Sequence, residues 1–188
     1  MEPLEQHRRA IAEFDRRVQR VDATQWERPT PCAGWDVREL VDHIVTEQLW
    51  APHLLAGATM EEVGDRFEGD VLGDDPLATW EQAARAAREA FTAPGALDGH
   101  VHTTMGELPT SEYTRQMTMD LAIHGWDLAR AIGDDERLDP ELVAALHEVW
   151  APRADTLADS GLFAPPVEVG GEDDLQVRLL AALGRDGR

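Results

Sequence analysis

The stretch from Ser111 to Gly133 constrains the fold of this chain more than any other segment. Its sequence, SEYTRQMTMDLAIHGWDLARAIG, predicts one helix that follows Pro109, takes Ser111 as its N-cap and ends at Gly133. Asp120 and His124 lie four residues apart within it. At 3.6 residues per turn, their side chains are stacked on one face of the helix.

The helical face that carries Asp120 and His124 is otherwise apolar, because Met117, Leu121 and Leu128 extend it. Burial of an unpaired polar group is costly, so two buried polar side chains need a partner. A divalent metal ion is one such partner, since carboxylates and imidazoles both ligate it at this spacing. A hydrogen-bonded Asp–His pair in the core is the other. The helix by itself leaves both interpretations open.

Further helices are indicated by apolar periodicity and by capping signals. The periodicity predicts helices at 4–21, 37–55, 76–92 and 141–158, and the apolar run at 174–183 predicts either a short helix or an extended stretch. Capping residues precede three of them: Asp36 with Glu39 as a capping box, Asp75 and Asp139. We therefore expect an all-α protein, an antiparallel four-helix bundle in residues 1–160. A short C-terminal extension, residues 161–188, is expected to pack on this bundle.

The second predicted helix supplies a third candidate ligand. His43 lies in its second turn, and Glu47 and Trp50 follow on the same stripe. Helical bundles build their sites from side chains on facing helices. His43, Asp120 and His124 would together form a set of two histidines and one carboxylate. Such a set suits Zn²⁺, Ni²⁺ or Fe²⁺ and leaves coordination positions open, as catalytic sites do.

Residues next to these ligands have roles that the sequence suggests less directly. Asp127 lies on nearly the same face as Asp120, so it is placed to hold a ligand histidine in orientation. Trp50 and Trp126 are candidates for lining a cavity, although buried tryptophans need no further role.

Two other patterns have an ordinary structural interpretation beside a functional one. Cys32 lies in TPCAGW without a base near it in the sequence, which favours a small buried residue over a nucleophile. His100 and His102 lie in a stretch that predicts a short extended segment and would face the same way. They suit a metal, but exposed strand histidines are commoner.

The charge of the chain excludes several classes of partner. Its 37 acidic and 17 basic residues give a net charge of −20, and no basic cluster is present. Nucleic acids and anionic membrane surfaces are therefore disfavoured. No apolar run has the length of a membrane span, and the first residues lack a signal-peptide pattern. A single cysteine excludes an intrachain disulfide and is typical of a reducing compartment, so we expect a cytoplasmic protein.

Several motifs together carry a resemblance to a known group of proteins. The segments TPCAGWDVRELVDHIV, AIHGWDLARAIG, GLFAPPVEV and RLLAALG are similar to small bacterial metal-binding proteins of the DinB-like superfamily, alongside the N-terminal domain of mycothiol-dependent maleylpyruvate isomerase. The resemblance implies a four-helix bundle that holds a metal ion, zinc or nickel. By motif its ligands fall on His43, Asp120 and His124. The isomerase has a glutamate where this sequence has Asp120.

The resemblance also implies a function. We expect a metal-assisted thiol transferase or isomerase acting on a small molecule, with mycothiol as the thiol and an unknown electrophile. A metal-coordinated thiol is deprotonated, and the thiolate is the nucleophile. The alternative is a non-catalytic metal-binding protein with a regulatory or stress-response role, so enzymatic activity is not decided by the sequence. A homodimer is left open.

Overall fold

A computed structural model describes residues 1–104, 106–161 and 163–188. The chain forms two compact units, one of Glu2–Asp134 and one of Asp135–Arg188 together with Met1. The division between the units thus lies nearer the N-terminus than the sequence-predicted boundary after residue 160. The packing of residues 161–188 on the bundle stays a prediction.

The first unit is helical apart from one β-hairpin. Its elements are α1 (Pro3–Val18), α2 (Val37–Leu55), the short α3 (Met60–Val63), α4 (Pro76–Phe91), β1 (His100–Thr103), β2 (Gly106–Pro109) and α5 (Thr110–Ile132). α1 packs against α5 and α4, and α2 packs against the same two helices, so the four long helices close a ring. This arrangement confirms the predicted all-α four-helix bundle, with α2 and α5, which carries Asp120 and His124, as neighbours.

The β-hairpin packs against helices α2 and α5 of the bundle. β1 and β2 pair antiparallel, with His100 opposite Pro109 and Thr103 opposite Gly106. Val101 of β1 is fully buried and joins a cluster of α2, α4 and α5 side chains that includes Phe91 and Tyr113. The hairpin therefore belongs to the hydrophobic core, and the predicted extended segment is confirmed.

α5 is the interior helix of the bundle, since its buried residues cover every side of its central turns. The predicted N-cap at Ser111 is wrong: the helix begins at Thr110, and Pro109, in the cap position, has no capping side chain. The predicted end is confirmed, because Gly133 takes the left-handed conformation (φ +76°) that only glycine adopts without strain.

The second unit consists of short helices. They are α6 (Pro140–Trp150), a 3₁₀ turn (Ala151–Arg153), α7 (Ala154–Asp159) and α8 (Leu175–Ala182), and α6 packs against α8. The continuous helix predicted over 141–158 is therefore wrong. Pro152 lies in the 3₁₀ turn and has no N–H for a helical hydrogen bond, which accounts for the interruption.

None of the helices in the described part of the chain combines the length and the apolar character that crossing a bilayer requires.

Candidate metal centre

α2 and α5 bring His43, Asp120 and His124 together. His43 Nε2 lies 3.1 Å from Asp120 Oδ2, and His124 Nε2 lies 3.4 Å from Asp120 Oδ1. Asp120 therefore lies between the two imidazoles, with one carboxylate oxygen toward each. One potential ligand atom from each residue lies within 4.8 Å of the other two. The structure thus unites the three residues that the sequence singled out from two helices.

The start of α2 fixes the position of His43. The Asp36 side chain accepts a hydrogen bond from the Glu39 N–H at 2.9 Å, and the Glu39 carboxylate accepts one from the Asp36 N–H at 2.9 Å. This capping box defines the first turn of α2, as its sequence predicts. His43 then follows about two turns into the helix on the side that faces α5.

The charges of the three residues depend on one another. Burial alone would lower the pKa of both histidines, but the neighbouring Asp120 carboxylate raises the pKa of His43 and raises that of His124 well above its ordinary value. Burial alone would raise the pKa of Asp120, yet His124 and His43 hold it below its usual range. Asp120 and the two imidazoles therefore each favour the charged form of the other.

Solvent reaches the cluster from one side. The side chains of His43 and Asp120 remain 29% and 25% exposed, whereas that of His124 is 10% exposed. Trp35 lies beside both imidazoles, with ring centroids 5.0 Å from His43 and 5.7 Å from His124. An indole thus forms part of the wall, and an opening remains at His43 and Asp120.

A tight turn places Trp35 and Cys32 at the site. The Trp35 N–H donates to the Cys32 carbonyl at 3.0 Å, and the Thr30 hydroxyl donates to the Trp35 carbonyl at 2.9 Å. Gly34 is the third residue of this turn, with φ of +83°. A positive φ at that position is the requirement that favours glycine in a type II turn. The glycine of TPCAGW therefore allows Cys32 and Trp35 to face the same pair of helices.

On the far side of His124, its other ring nitrogen meets a second polar group. His124 Nδ1 lies 3.0 Å from Asp127 Oδ2, and Cys32 Sγ donates to the same oxygen at 3.2 Å. Cys32 Sγ is 3.6 Å from His124 Nδ1, and Asp127 is fully buried. The predicted position of Asp127 beside a candidate ligand is thus observed. Its hydrogen bond orients the ring so that Nε2 faces Asp120.

Two further groups in the wall are polar. The pKa of Glu47 is raised by burial and, to a smaller extent, by the charge of Asp120. Its carboxyl group makes no hydrogen bond to another described residue. Tyr113 is buried on α5, its hydroxyl has no hydrogen-bond partner among the described residues, and burial raises its pKa with smaller contributions from Glu47 and Asp120. These side chains continue the polar stripe of α2 and α5 away from the cluster.

Sequence reasoning missed the contribution of Cys32 and of Trp35. The polar partners of Cys32 are His124 and Asp127, which lie 92 and 95 positions away in the chain, so no local pattern could reveal them. Trp50 contacts Phe67 instead of the histidines, and Trp126 is buried beneath Arg130.

The other histidines considered as ligands stay outside the described metal-ligand groups. His100 and His102 lie on β1, and neither belongs to a cluster of three ligand atoms among the residues that the structure describes.

Comparison with known proteins agrees with this arrangement. The family model described as the mycothiol maleylpyruvate isomerase N-terminal domain matches residues 7–129, which include all of α2 and most of α5. Two uncharacterized proteins of Mycobacterium tuberculosis, Rv0738 and MT0763, are each 34% identical over 158 residues, covering 82% of this chain and 79% of theirs.

Solved structures share the fold. The crystal structure of a histidine-to-alanine mutant of the mycothiol-dependent maleylpyruvate isomerase has a TM-score of 0.62 at 16% identity, covering 82% of this chain and 70% of that one. The crystal structure of the mycothiol-dependent maleylpyruvate isomerase itself has a TM-score of 0.61 at 18% identity, covering 81% of this chain and 71% of that one. Identities this low establish the fold alone. The family match, together with the helical bundle, shows that this chain belongs to the mycothiol maleylpyruvate isomerase N-terminal domain family, within the DinB-like superfamily.

Proposed function

We propose that His43, Asp120 and His124 hold a divalent metal ion, zinc or nickel, and that the protein is a thiol-dependent transferase or isomerase of small molecules. The observation that carries the proposal is the convergence of two imidazole nitrogens on the two oxygens of one carboxylate, at 3.1 and 3.4 Å. Mycothiol is the thiol, by analogy with the isomerase whose fold the chain shares.

The residues present fit such an ion. Two neutral histidines and one carboxylate are a common catalytic ligand set, because three protein ligands leave a position for a substrate. In the metal-free cluster, His124 and His43 lower the pKa of Asp120 against the effect of burial, and a cation among the same atoms would favour its ionised form in the same way. The shorter side chain of Asp120, relative to the glutamate of the isomerase, still reaches both imidazoles.

The chemistry then follows from the residues around the opening. A bound divalent ion lowers the pKa of a coordinated thiol, so that the thiolate, which is the nucleophile, predominates at neutral pH. Trp35 covers one side of the histidines and restricts water there. Glu47 lies outside the ligand set and is free to accept the proton that the thiol releases.

The proposal predicts that thiol binding requires the metal. Calorimetry should show mycothiol binding to the metal-loaded chain, little binding after removal of the metal by a chelator, and recovery when the ion is restored. Affinity should rise with pH until the bound thiol has lost its proton, because ligation favours the thiolate.

A panel of electrophiles then tests turnover by the metal-loaded chain in the presence of mycothiol. Equal mycothiol binding with and without metal, or no binding in either state, would refute the thiol proposal. Metal binding without thiol binding would favour the non-catalytic metal-binding protein.

A further inference from the structure

The imidazole of His124 has polar groups at both of its nitrogens. Its Nε2 faces Asp120 at 3.4 Å, and its Nδ1 faces Asp127 at 3.0 Å. The two nitrogens lie on opposite edges of one ring, so the groups that they meet form separate clusters. The first cluster is the proposed metal centre described above. The second consists of His124 Nδ1, Asp127 Oδ2 and Cys32 Sγ.

The second cluster has the dimensions of a metal-ligand set. Its separations are 3.0 Å between Nδ1 and Oδ2, 3.2 Å between Sγ and Oδ2, and 3.6 Å between Sγ and Nδ1. Zinc bonds of about 2.0–2.3 Å at tetrahedral angles imply ligand separations of about 3.3–3.6 Å. A cation would therefore fit among these three atoms after shifts of a few tenths of an ångström.

The surroundings of this cluster also suit a cation. Asp127 is fully buried and its Oδ2 faces both His124 Nδ1 and Cys32 Sγ, so the carboxylate is already oriented toward the other two potential ligand atoms. Cys32 is only partly buried in its turn, which leaves one side of the cluster accessible. A thiolate, an imidazole and a carboxylate together favour a thiophilic borderline ion such as Zn²⁺ or Co²⁺ over Mg²⁺ or Ca²⁺.

We propose that Cys32, Asp127 and Nδ1 of His124 form a second metal site, and that His124 bridges it to the ion held with His43 and Asp120. Cys32 cannot serve the first ion in this arrangement, because its sulfur lies at the Nδ1 edge of the ring. Filling both sites releases to solvent the thiol proton of Cys32, every proton on the two nitrogens of His124 and any proton on the nitrogen of His43 that binds the first ion. Two carboxylates, one thiolate and one imidazolate then balance two divalent charges.

Titration of the full chain with Co²⁺, after removal of metal by a chelator, tests this inference. Wild type should bind two equivalents and develop the thiolate-to-cobalt charge-transfer absorption in the near ultraviolet. Cys32→Ser should bind one equivalent and lose that absorption. His43→Ala should lose most binding at the first site but retain the absorption. His53→Ala, a histidine change on the same helix outside both clusters, is the matched control and should behave as wild type.

The outcomes separate this inference from the proposed function, since the two sites share only His124. One equivalent without the absorption in wild type would overturn the second site and leave the first to be judged by His43→Ala. One equivalent with the absorption would show that only one ion binds, which overturns the bridged arrangement. Retention of the absorption in His43→Ala would then assign that ion to the Cys32 cluster, and its loss would place the thiolate on the ion held by His43. Two equivalents retained by Cys32→Ser would overturn it as well. Circular dichroism of each variant verifies that the bundle is folded.

Discussion

Replacement of His43 by alanine should remove most of the stabilisation that a metal ion gives to this protein. A ligand at 100 times its dissociation constant stabilises the folded state by about 2.7 kcal/mol. For a chain of this size, that corresponds to a rise in melting temperature of roughly 5–11 °C. Loss of one of three ligands should weaken binding by at least about 100-fold, since even removal of a residue that only orients a ligand costs 10–100-fold. At the same zinc concentration, the stabilisation then falls to about 0.4 kcal/mol.

The metal-free variant should lose little stability. The hydrogen bond between His43 and Asp120 is 3.1 Å long, but the side chain of His43 is 29% exposed and that of Asp120 is 25% exposed. Its loss should therefore cost about 1 kcal/mol, which is below the range of about 1.5–3 kcal/mol for hydrogen bonds to charged groups because solvent screens a partly exposed pair. His124 remains beside Asp120, so the carboxylate is not left without a partner.

The assay is thermal unfolding of the chelator-stripped protein with and without added Zn²⁺. His53→Ala, on the same helix, should keep the full zinc-dependent rise. A rise in His43→Ala as large as that of wild type would refute the assignment of His43 as a ligand. Absence of any rise in wild type would refute the metal centre as a whole.

Two further predictions concern the surroundings of the cluster. Without metal, the raised pKa of His124 contributes stability that is fully present below pH 6.5, the pKa of an unfolded histidine, and is lost as the pH rises through the pKa of the folded state. The lowered pKa of Asp120 contributes stability that is present above pH 3.8, the pKa of an unfolded aspartate. The free energy of unfolding of the metal-free protein should therefore decline above about pH 6.5, whereas zinc affinity should increase over the same range. Melting temperatures measured against pH with and without zinc test both expectations. The same dependence of melting temperature on pH in both states would contradict the prediction. Gly34→Ala should destabilise by about 1–2 kcal/mol because φ is +83°, and should change the Trp35 environment. Urea unfolding followed by tryptophan fluorescence tests this, and an unchanged midpoint would refute the strain.

Sequence alone determined the helices and the pair on α5. Apolar periodicity and capping residues act within a few residues, so α2 was predicted with the bounds observed, Val37–Leu55. The spacing of Asp120 and His124 places them on one face in any α-helix. The end of α6 was not predicted correctly, because the apolar periodicity of the sequence continues past Pro152. The α-helical hydrogen bonding stops there, since proline has no backbone N–H to donate.

Tertiary structure decided what these residues meet. The sequence suggested that His43 faces α5, but its 3.1 Å approach to Asp120 depends on the packing of α2 against α5. Cys32 had no base near it in the chain, and only folding brings it to 3.6 Å from His124. Local patterns report propensities within one element, whereas distances between elements arise from burial of their apolar faces. The helix that carries Asp120 and His124 was therefore predicted from the sequence, whereas the contacts at the two ring nitrogens of His124 were not.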